Sequence, residues 1–349
     1  MEQIDLTTVE FQELVTHHVG SKYHEEKVEL TEAHTEVAKH SMGYLYTYLV
    51  KPFEDIFEYY HFAHVDNLAL NPVYQIVKHL FNEEDNLITA SQKIADHLYE
   101  ESDHPNIKSG QVTVVHMSNV KHSGGITDAI GIFKTETRVP FLTLDKKEKN
   151  YKFNHELGID LKGLDKGCII LNTMAEKGYQ VMIVDKSNKQ GLAHFWRDHF
   201  LQVLPSKTDF NQTKSYMDLT KSYFNDQVDK DFLLPKADKI DLMNRSLEYF
   251  KENEEFSKEQ FEEEVFGQED LINSFRNYDH QYKEDLGIDL NDNFAISMPA
   301  VKRNARVFRS VLKLDKNFHI YVHGNRELIE RGEEADGRKY YKLYFDQES

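Results

Sequence analysis

The spacing of apolar residues changes twice along the chain, and each change predicts a change of element. Residues 11–31, FQELVTHHVGSKYHEEKVELT, predict two short strands around a Gly20-Ser21 turn. A helix is predicted over NPVYQIVKHLF, with Asn71 as N-cap and Pro72 in the first helical position. DNLITASQKIADHLYEES continues helical, with Leu87, Ile94 and Leu98 near helical spacing.

From residue 111 to 186 the period becomes that of strands: QVTVVHMSNVKH, ITDAIGIFKTET, RVPFLTL, NYKFNHEL, GCIILNTM and GYQVMIVD. Ser123-Gly124-Gly125, the cluster Lys146–Asn150 and Glu176-Lys177-Gly178 break these runs. Such connections are too short for crossover helices, so the sheet is expected to be mostly antiparallel.

Residues 209–286 return to the helical period. Ser257 and Gln260 fit a capping box. Ile240, Met243, Leu247 and Phe250 share one helical face, and Leu271, Phe275, Tyr278 and Tyr282 share another. Both stripes read as core, with the acids of the region on a solvated face. The last 60 residues read as strand, turn, strand, a helix at NRELIERG and a closing strand YYKLYF. The expected fold is α+β: a mostly antiparallel central sheet with flanking helices, an acidic helical region and a C-terminal β-hairpin/helix/strand unit. An edge near Pro205 divides an α+β domain (1–205) from the helical region with its C-terminal basic hairpin unit (206–349).

Composition supports a folded chain, with 40% hydrophobic and 12% aromatic residues. The longest apolar runs, such as CIIL and VMIV, are strand-sized, and MEQIDLTTVEF lacks the basic and apolar regions of a secretory leader. The expectation is a soluble, cytoplasmic protein with no membrane partner.

Candidate chemistry is sparse. The single cysteine, Cys168, excludes an intrachain disulfide and lies in an apolar strand as a small buried residue would. His61 and His64 form an HxxH and His194 and His199 an HxxxxH, but neither pair supplies the three or four convergent ligands of a zinc site. HSGGITDAIG fits a hairpin turn better than a phosphate loop, and no serine or cysteine sits in a nucleophile elbow. No catalytic residue, metal or cofactor is expected, and the chain does not read as an enzyme.

Charge is the more informative signal. The formal net charge is −18, and residues 241–290 carry 15 acids against 5 bases. Residues 301–326, VKRNARVFRSVLKLDKNFHIYVHGNR, hold seven Lys or Arg against the lone Asp315. If Val307–Leu314 is a strand turning at Asp315-Lys316-Asn317, Phe308, Leu312 and Leu314 share one face and Arg309 and Lys313 the other, with Lys302, Arg303 and Arg306 just upstream. Such a face fits either a solvated hairpin or a grip on a phosphate backbone.

The run AVKRNARVFRSVLKLDKNFHIYVHGNRELIERG and its closing YYKLYF resemble the C-terminal signature of the bacterial 37-kilodalton nucleoid-associated protein family, in its Bacteroidetes-like form. THHVGSKYHEEKVELTE, YYHFAHVDNLALNPVY, SDHPNIKSGQVTVVHMSNV, TDAIGIFKTET, LDKGCIILN, WRDHFLQVLPSKTDFNQTKSYMDLTK and PKADKIDLMNRSLEYFK resemble earlier segments of that family in the same order. The resemblance implies a place in the nucleoid and binding of double-stranded DNA with little sequence preference. It brings no catalytic motif and no set of contact residues. Charge then nominates Lys302, Arg303, Arg306, Arg309, Lys313 and Lys316, helped by Lys146, Lys147 and Lys149. The alternative is an acidic protein–protein adaptor that reaches the nucleoid through a DNA-binding partner, with other chromosome-associated proteins as partners. A homodimer is compatible with either.

Overall fold

The computed structural model of the 349-residue chain describes residues 4–123, 125–186, 195–308, 311–314, 316–321 and 328–347. It forms two compact units, Met1–Ser206 and Lys207–Ser349.

The first unit is built on a seven-stranded sheet. Its strands are β1 (Glu10–Val19), β2 (Tyr59–Phe62), β3 (Gly110–His122), β4 (Gly125–Thr135), β7 (Lys166–Leu171), β8 (Gln180–Asp185) and β9 (Val203–Pro205), in the order β1-β3-β4-β7-β8-β2-β9. Every neighbouring pair is antiparallel, as the short connections require. Two further strands, β5 (Val139–Lys147) and β6 (Asn150–Gly158), pair among the described residues only with each other, as a ribbon.

Residues that alternate along the central strands enter two different cores. Val112, Val114, Ile130, Ile132, Cys168 and Ile170 pack on one face with helices α2 (Pro72–Phe81) and α3 (Leu87–Glu101). Val115, Met117, Ala129, Phe133, Ile169 and Leu171 pack on the other with α1 (Met42–Leu49) and the N-terminal Leu6. Covering both faces is why CIIL reads as an unbroken apolar run: each of its residues is buried on one side or the other. Asn71 caps α2 as expected, its Oδ1 accepting from the Tyr74 amide at 2.9 Å, and its Nδ2 donates to the carbonyls of Ala63 and Leu201. Gly178 is needed where β8 approaches β2. It sits at φ +91°, and a Cβ there would lie 2.3 Å from the Phe62 carbonyl oxygen.

The expected strand pair at 11–31 is halved. β1 forms, but the second stretch contributes only the isolated bridge Glu29–His18, on the edge of β1 that β3 leaves free. β2, inside a segment with no strand signal of its own, is held by β8 and β9 on either side.

The second unit is mostly helical: α4 (Asp209–Ser222), α5 (Val228–Asp231), α6 (Lys236–Glu252), α7 (Lys258–Val265), α8 (Glu269–Leu286) and α9 (Met298–Phe308). Three two-stranded sheets accompany them. They pair β10 (Glu255–Ser257) with β11 (Asn293–Ala295), β12 (Val311–Leu314) with β13 (Phe318–Tyr321), and β14 (Ile329–Glu333) with β15 (Lys339–Leu343). Its core is aromatic, with Tyr216, Tyr223, Phe250, Phe256, Phe261, Phe266 and Phe275 in mutual edge and tilted contacts. Met243, Leu247, Phe250, Leu271 and Phe275 are buried in it, Tyr278 and Tyr282 pack against it, and Ile240 is buried as well. Both stripes are core. The capping box is half made: Ser257 Oγ accepts from the Gln260 amide at 3.5 Å, while the Gln260 side chain donates to Glu264 instead.

The helix expected at NRELIERG is corrected. Residues 325–327 lie outside the described residues, and Ile329–Glu333 is a strand paired with Lys339–Leu343. Glu, Leu and Arg favour a helix locally. The hairpin partner overrides them: Tyr340 lies directly opposite Gly332, its ring where a Cβ would be, and Gly337 turns the chain at φ +84°.

Candidate nucleic-acid interface

The segment MPAVKRNARVF forms α9 because its apolar residues recur at helical spacing. Val301, Ala305 and Phe308 face the aromatic core of the second unit, and the helix packs against α4 and α6. Pro299 suits the first turn, where its missing amide proton has no helical acceptor. The Ser297 amide just before the helix donates to Thr213 Oγ1 at 2.9 Å, tying the entry to α4.

That inner face dictates the outer one. Lys302, Arg303 and Arg306 are all exposed, and the spacings 302/306 and 303/306 make them neighbours on the solvent side. No acid occurs within Met298–Phe308. The Arg303 guanidinium lies 5.7 Å from the centroid of the Phe210 ring, which fixes one member of the trio against α4. Among the described residues, Lys302 and Arg306 make no ion pair with an acid. Arg306 lies in the last turn of α9, where the helix dipole favours positive charge.

A strand over Val307–Leu314 is therefore corrected. The helix runs through Phe308, and the strand begins at Val311. The 4, 3 spacing of Val301, Ala305 and Phe308 was the available helical signal, obscured by reading Phe308 together with Leu312 and Leu314. The hairpin itself forms, with Val311 opposite Tyr321, Lys313 opposite His319 and Leu314 opposite Phe318. Lys316 is exposed in its turn. Arg309 lies outside the described residues, as does the side chain of Lys313. The structure thus brings Lys302, Arg303 and Arg306 together on one helix and puts Lys316 on a separate element. Lys146, Lys147 and Lys149 belong to the other unit, exposed at the turn of the β5–β6 ribbon.

The acids of residues 241–290 are not all on a solvated face. Glu262 is buried, with its Oε2 accepting from Arg276 Nε at 2.8 Å and Nη2 at 2.7 Å. Asp279 is buried against the ammonium groups of Lys258 and Lys283, the latter at 3.0 Å. Their missed signal was a cation from a neighbouring helix, which helical spacing alone does not reveal.

The remaining candidates have local roles. Cys168 is fully buried, and burial pushes its thiol up, away from the reactive thiolate. His61 Nδ1 lies 3.3 Å from Ser206 Oγ, and burial lowers its pKa. His64 Nδ1 accepts from the Asp66 amide at 3.3 Å, His199 is exposed, and His194 lies outside the described residues. Among the described residues no group of three or more His, Cys, Asp or Glu is arranged to hold a metal ion. Nor is any described helix long and apolar enough to cross a membrane.

Nothing among curated proteins matches the chain. A family model described as nucleoid-associated protein YejK matches residues 15–338.

Proposed function

The chain belongs to the nucleoid-associated protein YejK family, and from that premise we propose that it binds double-stranded DNA directly, with little sequence preference, through phosphate contacts from its C-terminal basic face. The observation that carries this reading is the outer face of α9, where Lys302, Arg303 and Arg306 stand together in solvent on a helix without acids. Such a surface supplies donors to phosphate oxygens. Lys316, Lys313 and Arg309 extend the basic run, and six contacts of this kind give a slope of log K against log salt of about −5. The net charge of −18 opposes long-range attraction. Screening confines that opposition to about 8 Å at physiological salt, so a local cluster still engages.

Titrating a labelled 20–30 base-pair duplex across a salt series tests the reading. Lys302→Glu with Arg306→Glu is expected to weaken binding at least ten-fold at low salt and to flatten the slope by about 2. Binding that is weak, insensitive to salt and unchanged by these substitutions would leave the protein as an adaptor, held at the nucleoid by a DNA-binding partner.

A further inference from the structure

We propose that the β5–β6 ribbon is the surface on which two copies of this chain associate, apolar face on apolar face, with the two turns pointing in opposite directions. This does not depend on the DNA-contact reading.

In the register of the ribbon, Leu144 stands opposite Phe153, Leu142 opposite His155, Pro140 opposite Leu157 and Lys146 opposite Tyr151. Alternation places all of these on one face. Leu142, Leu144, Tyr151, Phe153 and Leu157 are 53–72% exposed there, although large apolar side chains of this kind ordinarily form a core. The opposite face is dressed for solvent. On it Asp145 accepts from Asn154 Nδ2 at 2.6 Å, Lys147 and Lys152 stand free of apolar neighbours in the register, and Phe141 leans over Gly158.

Two features select a second copy as the occupant. The five exposed side chains present on the order of 500 Å² of apolar surface, the upper end for a monomer and most of the roughly 800 Å² per partner of a standard interface. A two-stranded ribbon is also marginal by itself in water, and stacking two of them makes a four-stranded sandwich with both apolar faces covered. Charge then selects the orientation. Lys146, Lys147, Lys149 and Lys152 outnumber Asp145 and Glu148 at the turn, which is net positive, whereas at the far end Glu156 and Asp160 are balanced by Arg138 and Lys162. Ribbons stacked with turns together would oppose two net-positive turns, whereas reversed ribbons set each turn against the neutral far end of the partner. In the reversed arrangement the mid-ribbon position Leu144 lies close to its own counterpart across the two-fold axis.

Sedimentation velocity on the full chain, from about 1 to about 100 μM, reads the association. A species of twice the chain mass is expected, and Phe153→Glu is expected to raise the dissociation constant at least a hundred-fold with unchanged far-ultraviolet circular dichroism. A chain that stays monomeric throughout, or a dimer indifferent to Phe153→Glu, overturns the proposal. Should Phe153→Glu misfold, cross-linking decides, since the only native cysteine is buried. Under mild oxidation Leu144→Cys is expected to give a disulfide-linked dimer and Lys152→Cys, on the other face, to give none. Equal yields, or no dimer from Leu144→Cys, overturn it.

Discussion

Helices α7 and α8 on one side and α9 on the other pack against the same aromatic core, yet they dispose of charge in opposite ways. Glu262 on α7 and Asp279 on α8 fall on inward positions, and each is taken out of solvent with a cation from another turn or element. On α9 the inward positions are apolar, and all three cations face outward. Some charge of the acidic stretch is therefore consumed in folding, whereas the charge of α9 remains at the surface. Net charge along the sequence is thus a poor map of the charge a partner meets, and the acidic helices offer a smaller acidic surface than 15 carboxylates imply.

The largest expected effect comes from breaking an inward charge. Asp279→Ala leaves the ammonium groups of Lys258 and Lys283 without their shared carboxylate and is expected to cost about 3 kcal/mol in urea unfolding. A loss below about 1 kcal/mol would put Asp279 in the same class as the α9 cations. Those cations are the next test. Lys302→Glu and Arg306→Glu, which are expected to cut DNA affinity, should each change unfolding stability by no more than about 0.5 kcal/mol.

A titratable group used in folding should show itself through pH. The Thr31 amide donates to His17 Nδ1 at 3.0 Å, so the neutral ring carries its proton on Nε2 and donates to Ser91 Oγ at 2.9 Å. Burial, only partly offset by Asp96, holds the His17 pKa below its ordinary 6.5. The unfolded chain takes up that proton more readily than the folded one. The His17 contribution is therefore complete above about pH 6.5 and is lost as pH falls below it. Melting temperature is expected to fall between about pH 7 and about pH 5.5, and His17→Gln to reduce that dependence. The smallest effect belongs to Glu284→Gln. Its carboxylate is largely exposed and, among the described residues, meets only His280 at 3.5 Å, so a change within about 0.5 kcal/mol is expected by urea unfolding.

Much of the fold was legible because it rests on local pattern. The central strands, their turns, the Asn71 cap and the apolar stripes of α6 and α8 each announce themselves within a dozen residues. The departures share a cause. Tyr59–Phe62 is a strand because β8 and β9 flank it, Ile329–Glu333 because Lys339–Leu343 pairs with it, and Glu262 and Asp279 are buried because cations reach them. None of these partners is visible from within the segment it acts upon. At the candidate interface the basic composition was plain, but its geometry was not. The strand expected over Val307–Leu314 begins only at Val311, because the chain up to Phe308 is a helix whose Val301, Ala305 and Phe308 pack as one stripe beside α4 and α6.

The sequence by itself determined an α+β protein with an antiparallel sheet, a buried unreactive cysteine and a polarised charge. These follow from residue type and spacing, which act over one or two turns of chain. Only the tertiary structure decided which charges the fold keeps and which it leaves in solvent. That choice depends on whether an opposite charge from a distant segment arrives close enough to offset the cost of burial. For Asp279 it does, and for Lys302 and Arg306 the described residues provide no such partner.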